Sequence, residues 1–325
     1  MIRQIVFLLF LTTTLAASPG GQAPKGAPLP PADIPFARLT ADAVVAVDLG
    51  PGSIESTDGV WIPNRTAGTI VRIDAKENKA GTPIVVGDDP CASLVVAFDS
   101  VWVPLCGDGT LARVDPKTSK STATLKMKVA SRDGRIAIGV GSVWAITDSK
   151  GVVSRIDPAT NAAVAEIYVA GGAYAVVFAD DALWITSETG DLLTRVNPHN
   201  NEIVETIKVG PRPGRVAAGE GAVWTLNRGD STVTRVDPAT NKVVATIPLA
   251  DGAATGEIAA GLGSVWISAA GAPIIRIDPR SNRAVQRFTG QGGGAVLVAH
   301  GSLWVAASPG LTSRLDPLLV TAIRP

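Results

Sequence analysis

The chain has 325 residues, and its 29 Lys and Arg balance 29 Asp and Glu, so the formal net charge is zero. A surface for nucleic acid or another polyanion is therefore not signalled by the chain as a whole, although a local basic patch is compatible with it. Apolar residues make up 46% of the chain, and 34 Gly and 23 Pro punctuate it, which fits short strands separated by tight turns.

The N-terminus predicts a secretory signal peptide over residues 1–17. Met1 to Gln4 carries one positive charge, Ile5 to Leu11 is apolar, and Ala16, Ala17 and Ser18 are small residues suited to signal peptidase. Removal would leave 28 basic and 29 acidic residues, because Arg3 goes with the peptide. Export to the periplasm or the medium is the expectation. No other stretch is apolar for the ~18 residues that a membrane span needs. Residues 18–41 are rich in Pro and Gly and predict an extended linker.

Folded sequence is expected over residues 42–325. It opens on Ala43 to Leu49, which reads as the last strand of a four-stranded unit whose first three strands are missing. The complete unit is clearest at 215–250. Val216 to Ala218, Ala222 to Leu226, Thr232 to Val236 and Val243 to Ile247 are apolar or β-branched runs, separated by Gly, Asn and Asp-Pro turns. Pro presets φ for the second position of a type I turn, and the Asp carboxylate accepts a backbone N–H across it.

That unit recurs seven times. Trp61, Trp102, Trp144, Trp184, Trp224, Trp266 and Trp304 are spaced by 41, 42, 40, 40, 42 and 38 residues, taking differences between neighbours. About ten residues after each Trp comes an Arg that opens a turn: Arg72, Arg113, Arg155, Arg195, Arg235, Arg276 and Arg314. Four strands per copy at this period predict an all-β, seven-bladed propeller. The orphan strand at 43–49 is then expected to complete the seventh blade and close the ring, which removes an unpaired edge. Leu318 to Ile323 competes for that place, since it follows Arg314-Leu-Asp-Pro as a fourth strand would.

The repeat residues read as scaffold. Each Trp is expected to bury its ring between blades. Each Arg is expected to pair with an Asp or a backbone carbonyl of a neighbouring strand. Cys91 and Cys106 flank the first two strands of the second copy and should lie opposite each other on a hairpin, so a structural disulfide is predicted.

Val-Trp-x-x-Asn, as at 60–64 and 223–227, followed by Arg-x-Asp-Pro-x-Thr-Asn, resembles the YVTN-type propeller repeat. With Gly-x-Gly-Ser-Val-Trp at 139–144 and 261–266, the pattern is also similar to the streptogramin B lyase (virginiamycin B lyase-like) propellers. The resemblance covers about residues 42–317 and implies a fold more than a function. For activity it implies His and Glu side chains with a divalent metal at the channel mouth. The chain has only His199 and His300, each in a turn assigned to the opposite face, and neither has a partner at metal-ligand spacing. No cofactor is expected unless Glu188, Glu257 or Asp148 holds a metal in a lyase of that type.

Function is sought where the copies differ. Four positions after the Trp stand Arg65, Cys106, Asp148, Glu188, Arg228, Ala270 and Ser308. Nine positions before it stand Gly52, Ser93, Arg135, Ala175, Arg215, Glu257 and Ala295. Arg65, Arg135, Asp148, Glu188, Arg215, Arg228 and Glu257 are therefore the candidate ligand-binding residues, as a mixed-charge rim at the channel mouth. The expected function is an exported, monomeric binding or interaction module without catalysis. A small ligand, a peptide or a protein is its partner. The rival readings are the metal-dependent lyase or hydrolase and the scaffold subunit of a periplasmic redox assembly.

Overall fold

The computed structural model describes residues 31–47, 55–56, 59–130, 136–250, 252–308 and 310–323. The signal peptide and most of the linker lie outside the described residues. Seven sheets, each built mainly of four antiparallel strands in chain order, form the blades of a ring. In blade 5 the strands are Pro213–Gly219, Ala222–Asn227, Thr232–Asp237 and Lys242–Pro248. The second strand is buried throughout, whereas the fourth is mostly exposed.

Each second strand carries its Trp at 0–1% exposure. The indole N–H of Trp102, Trp144, Trp184, Trp224, Trp266 and Trp304 donates to the carbonyl five residues earlier, at 2.9–3.2 Å. The repeated Arg lies directly opposite the Trp on the third strand, as Trp224 does to Arg235. In blades 2, 3, 4, 5 and 7 its guanidinium covers the Trp ring, 4.8 Å from the centroid for Arg113 over Trp102 and 5.1 Å for Arg235 over Trp224, where the cation meets the negative face of the ring.

The same Arg then reaches the next blade. Arg195 Nη1 donates to Pro238 O and to Asn241 Oδ1, both at 2.8 Å. Arg113 reaches Asn161 at 2.9 Å and Arg235 reaches Asn282 at 2.8 Å in the same way. The acceptors belong to the Asp-Pro-x-Thr-Asn turn, whose carboxylate accepts a backbone N–H as the sequence predicted: Ala239 N to Asp237 Oδ1 is 2.9 Å. The Asn sits at positive φ, 58° at Asn241, a conformation it tolerates better than most residues.

Ring closure follows the orphan strand. Ala43–Ala46 pairs antiparallel with Leu311–Leu315, Ala43 opposite Arg314 and Ala46 opposite Leu311. Val45 and Val47 then pack with Val60 and Ile62 of blade 1 and with Trp304 of blade 7. Arg314 completes the circuit by donating to Ala75 O at 3.4 Å and Asn78 Oδ1 at 3.3 Å. The rival strand at 318–323 is instead a short helix, α1 (Pro317–Ala322), because Asp316 caps its N-terminus by accepting from Leu318 N at 2.8 Å.

Two features go beyond four strands per blade. Asp33–Pro35 adds a parallel fifth strand to the outside of blade 6, with Ile34 fully buried. The fourth strand of blade 1 is split into Lys79–Ala80 and Ile84–Val85. In blade 2 the Cys91–Cys106 disulfide forms, with Cα atoms 5.2 Å apart across the hairpin.

Candidate functional site at the channel mouth

The first strand of each blade faces the axis. Val95, Ile136, Val176, Val216, Ile258 and Val296, from blades 2 to 7, contribute apolar side chains to the wall of a cavity of about 230 Å³. Ser93 and Glu257 also line it. The loops between second and third strands open on the same face as the connections between blades, since Glu188 N bonds Gly172 O and Arg228 N bonds Arg212 O.

Two β-bulges set the site. In blade 4 the pairing runs Ala173 with Ser187, then Val176 with Ile185, so Tyr174 and Ala175 share one partner position. In blade 5 it runs Pro213 with Asn227, then Arg215 with Leu226, so Gly214 is the additional residue. A bulge turns a strand locally and re-aims its side chains. Here the re-aimed side chains are Tyr174 and Arg215. Thr186, fully buried, repairs the interrupted ladder: its hydroxyl accepts Ala175 N at 3.1 Å and donates to Gly214 O at 2.9 Å across the blade interface.

Asp191 holds the adjoining connection by accepting Arg212 N at 2.9 Å. That hydrogen bond, with the Lys208 ammonium second, keeps the Asp191 carboxyl below the usual carboxylate range. Gly214 leaves room for Arg228: a Cβ there would come within 2.9 Å of Arg228 Nε and displace that side chain.

The result is a chain of alternating charges around one aromatic ring. Arg228 and Arg215 lie over the Tyr174 ring, 4.5 and 5.1 Å from its centroid. Arg228 is paired with Glu188. Arg215 Nη2 meets Glu257 Oε1 at 2.8 Å, and these two side chains are only 12% and 11% exposed. Five side chains from blades 4, 5 and 6 are thus continuous, and Glu257 carries the cluster into the channel wall.

Four of the seven residues singled out from the sequence are brought together here: Glu188, Arg215, Arg228 and Glu257. Arg65 stands apart in blade 1, paired with Asp89 through Nε–Oδ1 at 2.9 Å and Nη2–Oδ2 at 3.1 Å. Asp148 is exposed and caps its own loop by accepting Lys150 N at 2.8 Å. Arg135 lies outside the described residues. Tyr174 was missed, because an aromatic in a strand ordinarily reads as core. A signal existed: ten positions before the Trp, blades 3, 5, 6 and 7 have Gly134, Gly214, Gly256 and Gly294, whereas blade 4 has Tyr174.

A divalent metal does not fit this donor set. Glu188 and Glu257 are each engaged by a guanidinium, and among the described residues no three of His, Cys, Asp and Glu come together to hold a metal. His199 is in the turn after Leu192–Asn197, on the far face, where its Nε2 lies 2.9 Å from Asp181 Oδ2. His300 is in the turn between Val296–Ala299 and Ser302–Ser308, on that same far face.

A family model described as "Domain of unknown function (DUF5074)" matches residues 91–254. Among solved structures, the chain is similar to virginiamycin B lyase from Staphylococcus aureus, with a TM-score of 0.70 and 18% identity over 84% of this chain and 98% of that one. A streptogramin B lyase structure gives 0.68 and 19% over 83% and 94%. BamB from Moraxella catarrhalis gives 0.60 and 14% over 83% and 85%. At these identities the likeness shows the fold alone. No curated protein matches the chain.

Proposed function

The chain belongs to the family described as a domain of unknown function, DUF5074, and on that premise we propose that it is an exported binding module whose site is the mouth of the central channel on blades 4 to 6. One observation carries this reading: the nearly buried Arg215–Glu257 pair, continuous with Tyr174, Arg228 and Glu188, stands at the rim of an apolar channel. Desolvating an ion pair costs as much as the pair returns, and an apolar pair of the same volume is often as stable. The corresponding rim positions of blades 2 and 7 hold the small residues Ser93 and Ala295, both buried. The scaffold therefore does not need charge at this height of the channel, and recognition is the use that remains for it. The disulfide and the signal-like N-terminus support export.

The test is a thermal-shift panel of amino acids, short peptides, sugars, nucleotides and organic acids on the mature protein, repeated with Arg228→Ala. A ligand that binds only the native state must raise its melting temperature. The expected result is at least one compound class that stabilises the wild type and not the variant. If every stabilising compound acts equally on both, the mouth is not the site.

A further inference from the structure

We infer that this site takes a small zwitterion with an apolar side chain, that is, an apolar α-amino acid. The inference rests on the channel-mouth reading and adds the chemical class of ligand.

The charge pattern carries the argument. Glu188–Arg228 and Arg215–Glu257 put two carboxylates and two guanidiniums around one ring, so the cluster is neutral. A purely anionic head bound by the arginines would meet two carboxylates at close range, where like charges are strongly disfavoured. A purely cationic head would meet two guanidiniums under the same penalty. A head that carries an ammonium and a carboxylate on one carbon can present each to its opposite, and it leaves no charge unmatched.

The channel supplies the second half. The side chains that line it are apolar apart from Ser93 and Glu257, although polar atoms make up about half of the exposed wall, and its volume is about 230 Å³, below the roughly 300–1,000 Å³ of pockets that enclose whole drug-sized ligands. It has room for one side chain. Glu257 belongs both to the ion pair and to the cavity wall, so a head held by the cluster delivers its side chain directly to the apolar opening. Elsewhere on the rim the corresponding positions hold small buried residues, Ala295 in the adjoining blade 7 and Ser93 in blade 2.

Calorimetric titration of the mature protein with leucine, glycine, N-acetyl-leucine and leucine amide tests the proposal. Leucine is expected to bind at least about ten-fold more tightly than the acetylated anion, the amide cation or glycine. Glu188→Gln removes one carboxylate and is expected to shift preference toward N-acetyl-leucine, whereas Arg228→Gln shifts it toward leucine amide. A merely structural role would move neither preference, and circular dichroism with a thermal melt establishes that the variants fold. Equal binding of leucine and either blocked form, equal binding of glycine, or an unchanged order in both variants overturns the amino-acid class. If another compound class binds in an Arg228-dependent way, the mouth reading stands and the zwitterion falls. If no binding depends on Arg228, both fall.

Discussion

Thr186 of blade 4 donates its hydroxyl to the carbonyl of Gly214 in blade 5, 2.9 Å away, while accepting from Ala175 N on its own sheet. One buried oxygen thus links the two bulges that aim Tyr174 and Arg215. Thr186→Val keeps the shape and leaves two backbone groups unpaired, a loss of about 1–3 kcal/mol. Urea unfolding should show that loss, Thr186→Ser should recover most of it, and Arg228-dependent ligand binding should weaken in the Val variant alone.

The Arg215–Glu257 pair predicts a non-additive cycle. Glu257→Ala removes the carboxylate that faces a buried guanidinium and should cost up to roughly 3–5 kcal/mol, while Arg215→Met with Glu257→Leu should cost far less than the sum of the single changes. Denaturant melts of the four proteins measure the coupling. Additive losses would show that the pair does not act as a unit.

The staple between blades makes Asn241 sensitive to two effects at once. Asn241→Ala removes the acceptor of Arg195 and puts a Cβ-bearing residue without a local polar partner at φ 58°. Asn241→Gly removes only the acceptor. The Ala variant should lose more, by about 1 kcal/mol, and equal losses would assign the whole effect to the hydrogen bond.

Acid should loosen the outer turns. The Asp237 carboxyl is held below its ordinary value first by the Ala239 N–H and then by the Thr240 hydroxyl, and Asp115 in the same way by Lys117 N–H and the Thr118 hydroxyl. A carboxyl whose folded pKa is depressed stabilises the fold above the unfolded value of 3.8. That contribution is lost as pH falls through the folded value. Melting temperatures measured from pH 5 downward should fall less steeply for Asp237→Asn than for the wild type.

Reduction probes the hairpin of blade 2. Cys91 and Cys106 enclose a loop with a sequence separation of 15, for which the chain-entropy model gives about 3 kcal/mol. The denaturation midpoint should drop in reductant, and the Cys91→Ala, Cys106→Ala double variant should show the lower midpoint without responding to reductant.

The ring was legible in the sequence because Trp and Arg recur at a nearly constant period, and closure was legible because Ala43 to Leu49 reads as a strand without a blade. Asp316-Pro317 was ambiguous for a physical reason: the dipeptide that starts the turn in blades 2, 3, 5 and 6 also suits a helix N-terminus. The charged cluster was only half legible. Positions aligned on Trp returned Glu188, Arg215, Arg228 and Glu257, but the same alignment gave equal weight to Arg65 and Asp148, because it carries no information on which blades are adjacent through a bulge. Tyr174 was hidden because its role depends on that bulge, and the one mark it left was standing where blades 3, 5, 6 and 7 have Gly.

Blade 7 has no Asp-Pro-x-Thr-Asn turn, so Arg276 cannot clasp its successor as Arg195 and Arg235 do. Arg276 meets Gln286 and Ser264 instead, and the Gln286 amide donates to the carbonyls of Val320 and Ile323, holding α1 against blade 6. The ring therefore has a seam, and both chain ends are sewn into it: Asp33–Pro35 on blade 6, Ala43–Ala46 and α1 at blade 7. A load applied at the N-terminus would be borne first by these stitches on blades 6 and 7, before it reached blades 4 and 5, which carry four of the five side chains of the charged cluster.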